Sequence, residues 1–437
     1  MTSPSPDTIF ALASGSGRSG VAVIRISGPH ADGALQLLTR KPGPPVRCAV
    51  MRTIFEPTSS DRIDAALVLR FEPPHSYTGE NVVEIQGHGG HAVLAALLSA
   101  LSGIPGLRLA EPGEFTRRAV QNGRLDLTQA EAIADLVNAE TEAQRKQALR
   151  QYDGQLSTLY EDWRSRLIRA AAWIEAVLDF PDEEIPPAAM AQSRLALGQV
   201  QKEIEGHLQD GRRGEILRDG LHVAVIGPPN AGKSSLVNAL ARREVAIVSE
   251  TPGTTRDVIE VRLDLQGYPV ILADTAGLRE TADGIEREGV RRAKARADSA
   301  DLRLLVLDGA QDTDSNNFST TADLIVFNKA DQVPMRAEGF WVSAKTGEGL
   351  ADLINRLAER AKSGLQGDAP VLSRARHRQA LEAAQASLSA ALAVNSQQQE
   401  LAAEHIRRAL RDIGRITGRV DLDELLDVVF RDFCIGK

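Results

Sequence analysis

Apolar and polar residues follow two different rhythms along this chain. Residues 1–122 carry short apolar runs, for example at 21–26 and 65–69, separated by Gly and Pro turns and joined by one helical run at 91–102. Short strands mixed with a helix predict an α+β domain here. In residues 123–216 apolar positions recur at spacings of three and four, which predicts helices almost throughout.

Strands and helices alternate from residue 221 to about 362, which is typical of a parallel sheet covered by helices. Residues 363–370 contain Gly and predict a linker, and helical spacing returns at 371–430. Neither helical segment alone can bury its apolar faces, which favours one all-α domain divided in sequence over two independent bundles. The inserted segment is then an α/β domain in an exposed loop of that helical domain. The expected domains are 1–122, 123–216, 217–366 and 367–437.

Composition is that of an ordinary globular protein, with 43% hydrophobic and 25% charged residues. The formal net charge of −8 means that contact with nucleic acid needs a local basic patch or a basic partner. The two cysteines, Cys48 and Cys434, exclude a disulfide framework and favour a reducing compartment. We find no signal segment, and the apolar stretch at 92–101 is too short for a bilayer. We therefore expect a cytoplasmic protein without a membrane contact.

A phosphate-binding loop lies at residues 227–234, where GPPNAGKS matches GxxxxGK[ST] between an apolar strand and a helix. Backbone N–H groups of such a loop and the helix N-terminus bind phosphate oxygens. Lys233 is expected to reach the β and γ oxygens, and the Ser234 hydroxyl to ligate Mg²⁺. Further nucleotide contacts are predicted at Asn230, Ala231, Gly232 and Ser235.

Four more motifs follow in the order of a guanine-nucleotide site: TTRD at 254–257, DTAG at 274–277, NKAD at 328–331 and SAK at 343–345. Thr255 is expected on Mg²⁺, and the Asp331 carboxylate can accept two N–H bonds from guanine that adenine does not offer. The set predicts GTP binding and hydrolysis. The contacts predicted from these motifs and the loop before them are Ser249, Glu250, Thr251, Thr254, Thr255, Asp274, Thr275, Ala276, Gly277, Asn328, Lys329, Asp331, Ser343, Ala344 and Lys345.

One expected residue is missing from the hydrolytic machinery. Many small GTPases place a Gln directly after the DxxG glycine to orient the attacking water, and this chain has Leu278 there. Hydrolysis therefore needs another water-positioning residue, either in this chain or from a partner.

Longer strings in the sequence identify a family. The loop IVSETPGTTRD at 247–257 and the ending FCIGK at 433–437 resemble those of the tRNA modification GTPases of the MnmE (TrmE) family. So do three internal strings, GHGG at 87–90, LDLTQAEAIAD at 125–135 and DFPDEEI at 179–185. The resemblance covers the whole chain.

The resemblance implies a multidomain protein with an N-terminal α+β domain that dimerises and binds 5-formyl- or methylene-tetrahydrofolate, a discontinuous helical domain and an inserted P-loop G domain. It implies a homodimer that works with an FAD-dependent partner of the MnmG (GidA) type, as a hetero-oligomer, on carbon 5 of the wobble uridine of tRNA. It also implies GTP hydrolysis activated by K⁺, with ligands from Asn230, Ser249, Thr251 and Thr254. Glu286 matches the water-orienting glutamate; without the resemblance it would be interpreted as a solvated carboxylate.

For the folate, the resemblance implies a site at Arg25, Glu84, Arg124 and Lys437. Arginines suit a folate's glutamate carboxylate, and a buried carboxylate can bind the N–H edge of a pterin. The sequence alone would describe Arg25 and Glu84 as ordinary strand charges.

Several weaker signals have simpler interpretations. GSGRSG at 15–20 fits GxGxxG but precedes a strand rather than a helix, which favours a turn over a dinucleotide site. His88 and His91 lack further ligands nearby, which favours a structural or folate-lining role over a metal site. Arg407, Arg408, Arg411, Arg415 and Arg419 form a basic stretch, either a solvated helix face or a tRNA contact.

Two points about the G domain stay open in the sequence. The segment between Gly309 and Asn328 is short and polar, which predicts a reduced crossover. A ribosome-assembly or translation GTPase, in which the same motifs act as a switch, is the main alternative function. The N-terminal zone and the FCIGK ending argue against that alternative.

Overall fold

The computed structural model describes most of the chain and leaves the following residues aside: 1–6, 16, 180–186, 244, 248–259, 275–299, 311–321, 334–338, 366–371, 396–397, 421–425, 427–428, 431–432, 434–435 and 437, with the side chains of Pro187 and Asp274. The described residues group into two compact units. The first contains residues 1–134, 157–164 and 410–437, and the second contains residues 135–156 and 165–409.

The first unit is built on a six-stranded sheet in the order β3-β4-β5-β2-β1-β6, antiparallel except for the β1–β6 pair. The strands are β1 Thr8–Leu12, β2 Ser19–Ser27, β3 Val50–Phe55, β4 Arg62–Phe71, β5 Val82–Gly89 and β6 Leu107–Leu109. The helices of this region are α1 Ala31–Thr39, α2 His91–Ser102, α3 Glu114–Gln121 and α4 Leu127–Asn138. The strands predicted at 21–26 and 65–69 and the helix at 91–102 are confirmed.

Alternation along β1 and β2 gives this sheet two apolar faces. Ile24 and Ile26 join the core formed with α1 and α2. Ile9 and Ala11 pack on the opposite face with Phe115 of α3. Arg25, between Ile24 and Ile26, therefore points to the α3 side, where it meets aromatic rings instead of the main core.

The C-terminal segment belongs to this first unit. Leu426, Phe430 and Phe433 pack against Leu127 and Ala130 of α4. Gly436 lies so close to the end of β1 that an added Cβ would collide with the backbone there. The described residues of the FCIGK ending are therefore held against α4 and the end of β1.

The second unit contains most of the remaining helical residues, except 157–164 and 410–417, which group with the first unit. The remaining helices are α5 Glu142–Tyr152, α6 Gln155–Asp179, α7 Pro187–Leu208 and α8 Arg213–Asp219 before the inserted domain, and α11 Ala375–Ala393 and α12 Gln399–Thr417 after it. Gln201 of α7 donates to Ser389 Oγ of α11 at 2.7 Å. Arg378 of α11 bridges Asp210 and Glu215 at 2.7 and 2.9 Å. Helices from both sides of the insertion thus form one body, as the discontinuous all-α domain requires.

The inserted domain has a six-stranded sheet in the order β12-β11-β10-β7-β9-β8, parallel except for the β8–β9 hairpin. Its strands are β7 Leu221–Ile226, β8 Glu260–Leu265, β9 Tyr268–Asp274, β10 Leu302–Asp308, β11 Leu324–Asn328 and β12 Phe340–Trp341. Its described helices are α9 Lys233–Ala241 and α10 Leu350–Leu365. Buried Val, Leu and Ala residues of the strands, α9 and α10 form its core. This is the predicted α/β P-loop fold.

The linker predicted at 363–370 was placed too early. Helix α10 continues to Leu365, because Ala358, Ala361 and Leu365 keep a buried face at helical spacing. An added Cβ at Gly364 would meet no atom within 4 Å, so Gly364 lies on the open side of α10 and does not disturb the buried face of the helix. The domain boundaries at 122, 216 and 366 remain predictions.

Among the helices that the structure describes, none is long and apolar enough to cross a membrane.

Candidate guanine-nucleotide site

The phosphate-binding loop follows the end of β7 and turns into α9 through left-handed backbone positions. Gly227 has φ 143°, Asn230 has φ 64° and Gly232 has φ 86°. An added Cβ on Gly227 would collide with the Val306 carbonyl of β10. Glycine is therefore needed at Gly227 both for the backbone angle and for the close approach to the sheet. Asn230, at the exposed tip, tolerates its left-handed conformation as this residue type commonly does.

Lys233 lies inside this loop. It is the first residue of α9 and is buried, with 8% of its surface exposed. Its Nζ donates to the carbonyls of Gly227 at 3.0 Å and Pro228 at 2.9 Å. The ammonium group thus spans the loop that the sequence assigns to phosphate binding, beside the helix N-terminus that favours an anion.

Asn328, at the end of β11, joins three loops. Its side chain is buried, its Nδ2 donates to Ala231 O at 3.0 Å, and its Oδ1 accepts from Ala344 N at 3.1 Å. The NKAD motif predicts Asn328 as a nucleotide contact and gives no sign of this linking role. The backbone N–H of Ala344, in the SAK motif, is thus bonded within the protein.

Two charged residues of the NKAD motif are fixed in different ways. Lys329 has φ 66°, and its Nζ lies 2.7 Å from Asp308 Oδ2. Burial would raise the pKa of Asp308, but the hydrogen bond from Lys329 and the Ala310 N–H outweigh it and hold that pKa below its usual range. Asp331 is exposed, and its Oδ1 accepts from Ser343 Oγ at 2.6 Å.

These motifs surround one cavity of about 440 Å³. Its lining residues are Gly232, Ser235, Asn238, Ala239, Arg242, Asn328, Lys329, Asp331, Gln332, Ala344 and Lys345. The structure therefore brings together the phosphate loop and both base-recognition motifs. It also adds Asn238 and Arg242, which no motif marked in the sequence.

Other predicted residues of this site lie outside the described residues. They are Ser249, Glu250, Thr251, Thr254, Thr255, Thr275, Ala276, Gly277 and Glu286, as well as the side chain of Asp274. The short crossover predicted after Gly309 is also largely outside them. Among the described residues, no group of three or more His, Cys, Asp or Glu side chains could hold a metal ion.

Arg25 and Glu84, predicted as folate ligands, are cross-strand neighbours on β2 and β5. Arg25 Nε donates to Glu84 Oε1 at 3.0 Å, and 18% of each side chain is exposed. The guanidinium lies over the ring of Tyr77, 4.7 Å from its centre, and 5.6 Å from that of Phe115. The Arg25–Glu84 ion pair is therefore partly buried and flanked by aromatic rings.

Arg124 is exposed and lies against the loop that carries Tyr77. An added Cβ on Gly79 would stand 3.1 Å from Arg124 Cγ, and Asn122 Nδ2 donates to Thr78 O at 2.7 Å. Lys437 is outside the described residues, but its neighbour Gly436 lies at the end of β1. The predicted folate residues that are described thus converge on the α3 side of the sheet.

His88 and the GSGRSG stretch agree with the simpler of their interpretations. His88 Nδ1 lies 2.8 Å from Asp64 Oδ1, and the His88 N–H also bonds that carboxylate, a structural pairing. Residues 17 and 18 of the GSGRSG stretch form a bend that enters β2, so it opens no helix.

Comparison with known proteins agrees with these features. A family model described as "MnmE helical domain" matches residues 127–434, and one described as "GTP-binding protein TrmE N-terminus" matches residues 8–124. A "tRNA modification GTPase MnmE" from Parvibaculum lavamentivorans is 54% identical over 440 residues, covering 99% of this chain and 100% of that protein. Proteins of the same name from Rhodospirillum rubrum and Paramagnetospirillum magneticum are 54% and 53% identical, covering 99% of this chain and 99% and 100% of theirs.

The matches extend over the whole chain, and the helical match begins before the G domain and ends after it, as the insertion requires. The chain belongs to the MnmE (TrmE) family of tRNA modification GTPases.

Proposed function

We propose that this chain is a potassium-activated GTPase that modifies carbon 5 of the wobble uridine of tRNA, using a one-carbon tetrahydrofolate and an FAD-dependent partner of the MnmG (GidA) type. The observation that carries the proposal is the Asn328 linkage, which holds the phosphate loop and the two base-recognition loops around one cavity. GTP is the substrate that this combination favours, and hydrolysis is the chemistry of the family.

Base selection is assigned to Asp331, whose exposed carboxylate lines the cavity and is oriented by Ser343. Asp331→Asn replaces an acceptor of two N–H groups by a mixed donor and acceptor, so GTP should bind much more weakly and xanthosine nucleotides better. Calorimetric titration measures the affinities for both ligands, with Asp352→Asn on the exposed face of α10 as the matched control. GTP affinity equal to that of the parent would remove the guanine assignment.

Magnesium is assigned to Ser234 and Thr255. Ser234 follows Lys233 at the start of α9, so its hydroxyl oxygen lies where the phosphate-binding loop joins the helix. Oxygen donors of this kind suit Mg²⁺, which takes part of its coordination from substrate phosphates. Bound Mg²⁺ would neutralise charge on the β and γ phosphates.

Potassium is assigned to Asn230, Ser249, Thr251 and Thr254. The exposed left-handed position of Asn230 at the tip of the loop offers an amide oxygen to a hard cation outside the loop. GTP hydrolysis should be much faster in KCl than in NaCl at equal ionic strength, and Asn230→Ala should abolish the difference. Asn355→Ala on the exposed face of α10 is the control. Equal hydrolysis rates of the parent protein in the two salts would refute potassium activation.

Water positioning is assigned to Glu286, because Leu278 can neither donate nor accept a hydrogen bond. Positioning and electrostatics dominate phosphoryl transfer, so Glu286 need not be a strong base. Glu286→Ala should keep nucleotide affinity and slow hydrolysis by roughly two orders of magnitude or more, the scale of lost general-base assistance. A Glu286→Ala protein that hydrolyses GTP at the parent rate would refute the assignment and return its neighbours Asp283 and Glu288 as candidates.

The folate is assigned to Arg25, Glu84, Arg124 and Lys437. The Arg25–Glu84 pair, flanked by aromatic rings, supplies hydrogen-bonding groups beside flat apolar surfaces, which fits a pterin ring. Exposed Arg124 can pair with the carboxylates of the folate's glutamate tail. A bound folate would supply the one-carbon unit.

The homodimer, the FAD-dependent partner, the tRNA substrate and the cytoplasmic location rest on family membership. Analysis of wobble nucleosides in tRNA from cells lacking the gene tests the reaction directly. Loss of the carbon-5 modification supports the proposal. Intact wobble nucleosides together with altered ribosomal subunits would favour the ribosome-assembly GTPase instead.

A further inference from the structure

One face of α9 forms a second wall of the nucleotide cavity. Ser235, Asn238, Ala239 and Arg242 all line it, at the spacing of a single helix face. The other wall comes from the NKAD and SAK motifs. A base bound by those motifs would therefore lie between them and this part of α9.

A purine ring needs cover on both of its flat faces. Aromatic side chains commonly provide it, but the described residues that line this cavity include none. Lys329 can cover one face with its methylene stem, because its ammonium is held by Asp308 at 2.7 Å. The opposite face needs another group.

Arg242 stands where such a group is required. It follows the last residue of α9 and is exposed, and its side chain makes no hydrogen bond or ion pair with any residue that the structure describes. Its neighbour Arg243, in contrast, donates to Gly347 O at 3.2 Å and so supports the loop that follows the SAK motif. A guanidinium is planar and weakly hydrated, and it stacks readily on aromatic faces.

We propose that Arg242 is a nucleotide-binding residue that lays its guanidinium against the face of the guanine base opposite Lys329. The inference rests on the guanine-nucleotide binding proposed above. It assigns the affinity contributed by Arg242 to the base and not to the phosphates.

The test compares GDP and GMP binding by calorimetry in the full-length parent, Arg242→Ala, Arg242→Lys and the surface control Arg356→Ala. Arg242→Ala should weaken both ligands by the same factor, about tenfold, because both contain the same base. Arg242→Lys keeps the charge but loses the plane, so it should lie within about threefold of the Ala variant. The turnover number for GTP should stay at the parent value while KM rises, since the contact is present before and during the reaction.

Several outcomes would overturn the inference. These are unchanged affinities in Arg242→Ala, full recovery in Arg242→Lys, and a loss for GDP that far exceeds the loss for GMP, which would mean a phosphate contact. Circular dichroism checks folding, and Arg242→Gln replaces the Ala variant if that variant unfolds. A parent protein that binds no GDP would refute the proposed function itself, whereas a parent that binds GDP beside an unaffected variant refutes only the role of Arg242.

Discussion

Replacing Asn328 by alanine should destabilise the whole nucleotide site, whether or not a nucleotide is bound. The side chain is 2% exposed, and it satisfies the Ala231 carbonyl and the Ala344 N–H. Alanine would leave both groups without this partner. Leaving a buried polar group unsatisfied costs about 1–3 kcal/mol and leaving a half-buried one costs less, so losing the bonds to buried Ala231 and half-buried Ala344 should together cost the domain about 2–4 kcal/mol.

Hydrogen exchange read by mass spectrometry measures this loss where it occurs. Amides of α9 that exchange only when the domain opens should exchange roughly 30 to 700 times faster in Asn328→Ala, since 1.4 kcal/mol corresponds to a factor of ten. GDP affinity should fall as well, because two loops of the cavity lose their common anchor. Asn355→Ala, which removes an exposed amide bonded to Gln266 at 3.3 Å, is the control and should match the parent.

The reasoning would be refuted by Asn328→Ala protein with parent-like exchange in α9 and parent-like GDP affinity. That result would mean that the Asn328 bonds add nothing to the arrangement of the loops. A loss of affinity with unchanged exchange would instead make Asn328 a direct nucleotide contact only, as the sequence motif alone suggests.

Three other changes test separate parts of the structure. Gly227→Ala should abolish GDP binding in calorimetry, because an added Cβ would lie 2.1 Å from a carbonyl oxygen of β10 at a φ of 143°. Burial alone would raise the pKa of Glu114, but hydrogen bonds from Arg108 and Arg118 lower that pKa overall. The ionised Glu114 therefore stabilises the fold above its ordinary pKa, and this stabilisation is lost as pH falls through its lowered pKa. Thermal unfolding followed by circular dichroism should therefore depend less on pH below about 4.5 in Glu114→Gln than in the parent. Glu84→Gln should weaken 5-formyltetrahydrofolate binding in calorimetry and leave GDP affinity at the parent value, and equal folate affinity would remove Glu84 from the proposed folate site.

The G domain was predictable because its chemistry is encoded locally. A phosphate loop needs a strand, a glycine-rich turn and a helix within a few residues, and all three occur between 221 and 241. The alternation of strands and helices from residue 221 to about 362 was found for the same reason. Periodicity also predicted helices on both sides of the insertion, and contacts such as Gln201–Ser389 confirm their pairing.

Long-range partners could not be predicted from single positions. Arg25 and Glu84 are 59 residues apart, and only the strand register places them opposite each other. Arg242 carries no motif, and its place in the cavity depends on where α9 lies relative to the NKAD and SAK motifs. The linker was placed too early because Gly364 suggested a break, whereas tertiary burial of Leu365 keeps the helix intact.

The arginines at 407–419, in and just after α12, show that the net charge of a surface depends on neighbouring carboxylates as well as on its arginines. Arg407 pairs with Glu175 at 2.6 Å, Arg408 with Glu404 at 3.1 Å, and Arg419 approaches Glu161 at 3.8 Å. Three of the five arginines thus have a carboxylate partner, and Arg415 lies 4.0 Å from Asp412, so the local charge is lower than the sequence suggests. A stretch whose charge is compensated in this way releases few counterions when it meets a phosphate backbone, and counterion release drives most nucleic-acid binding. With a net charge of −8 over the whole chain, a strong tRNA contact is better sought in a basic partner protein than on this helix.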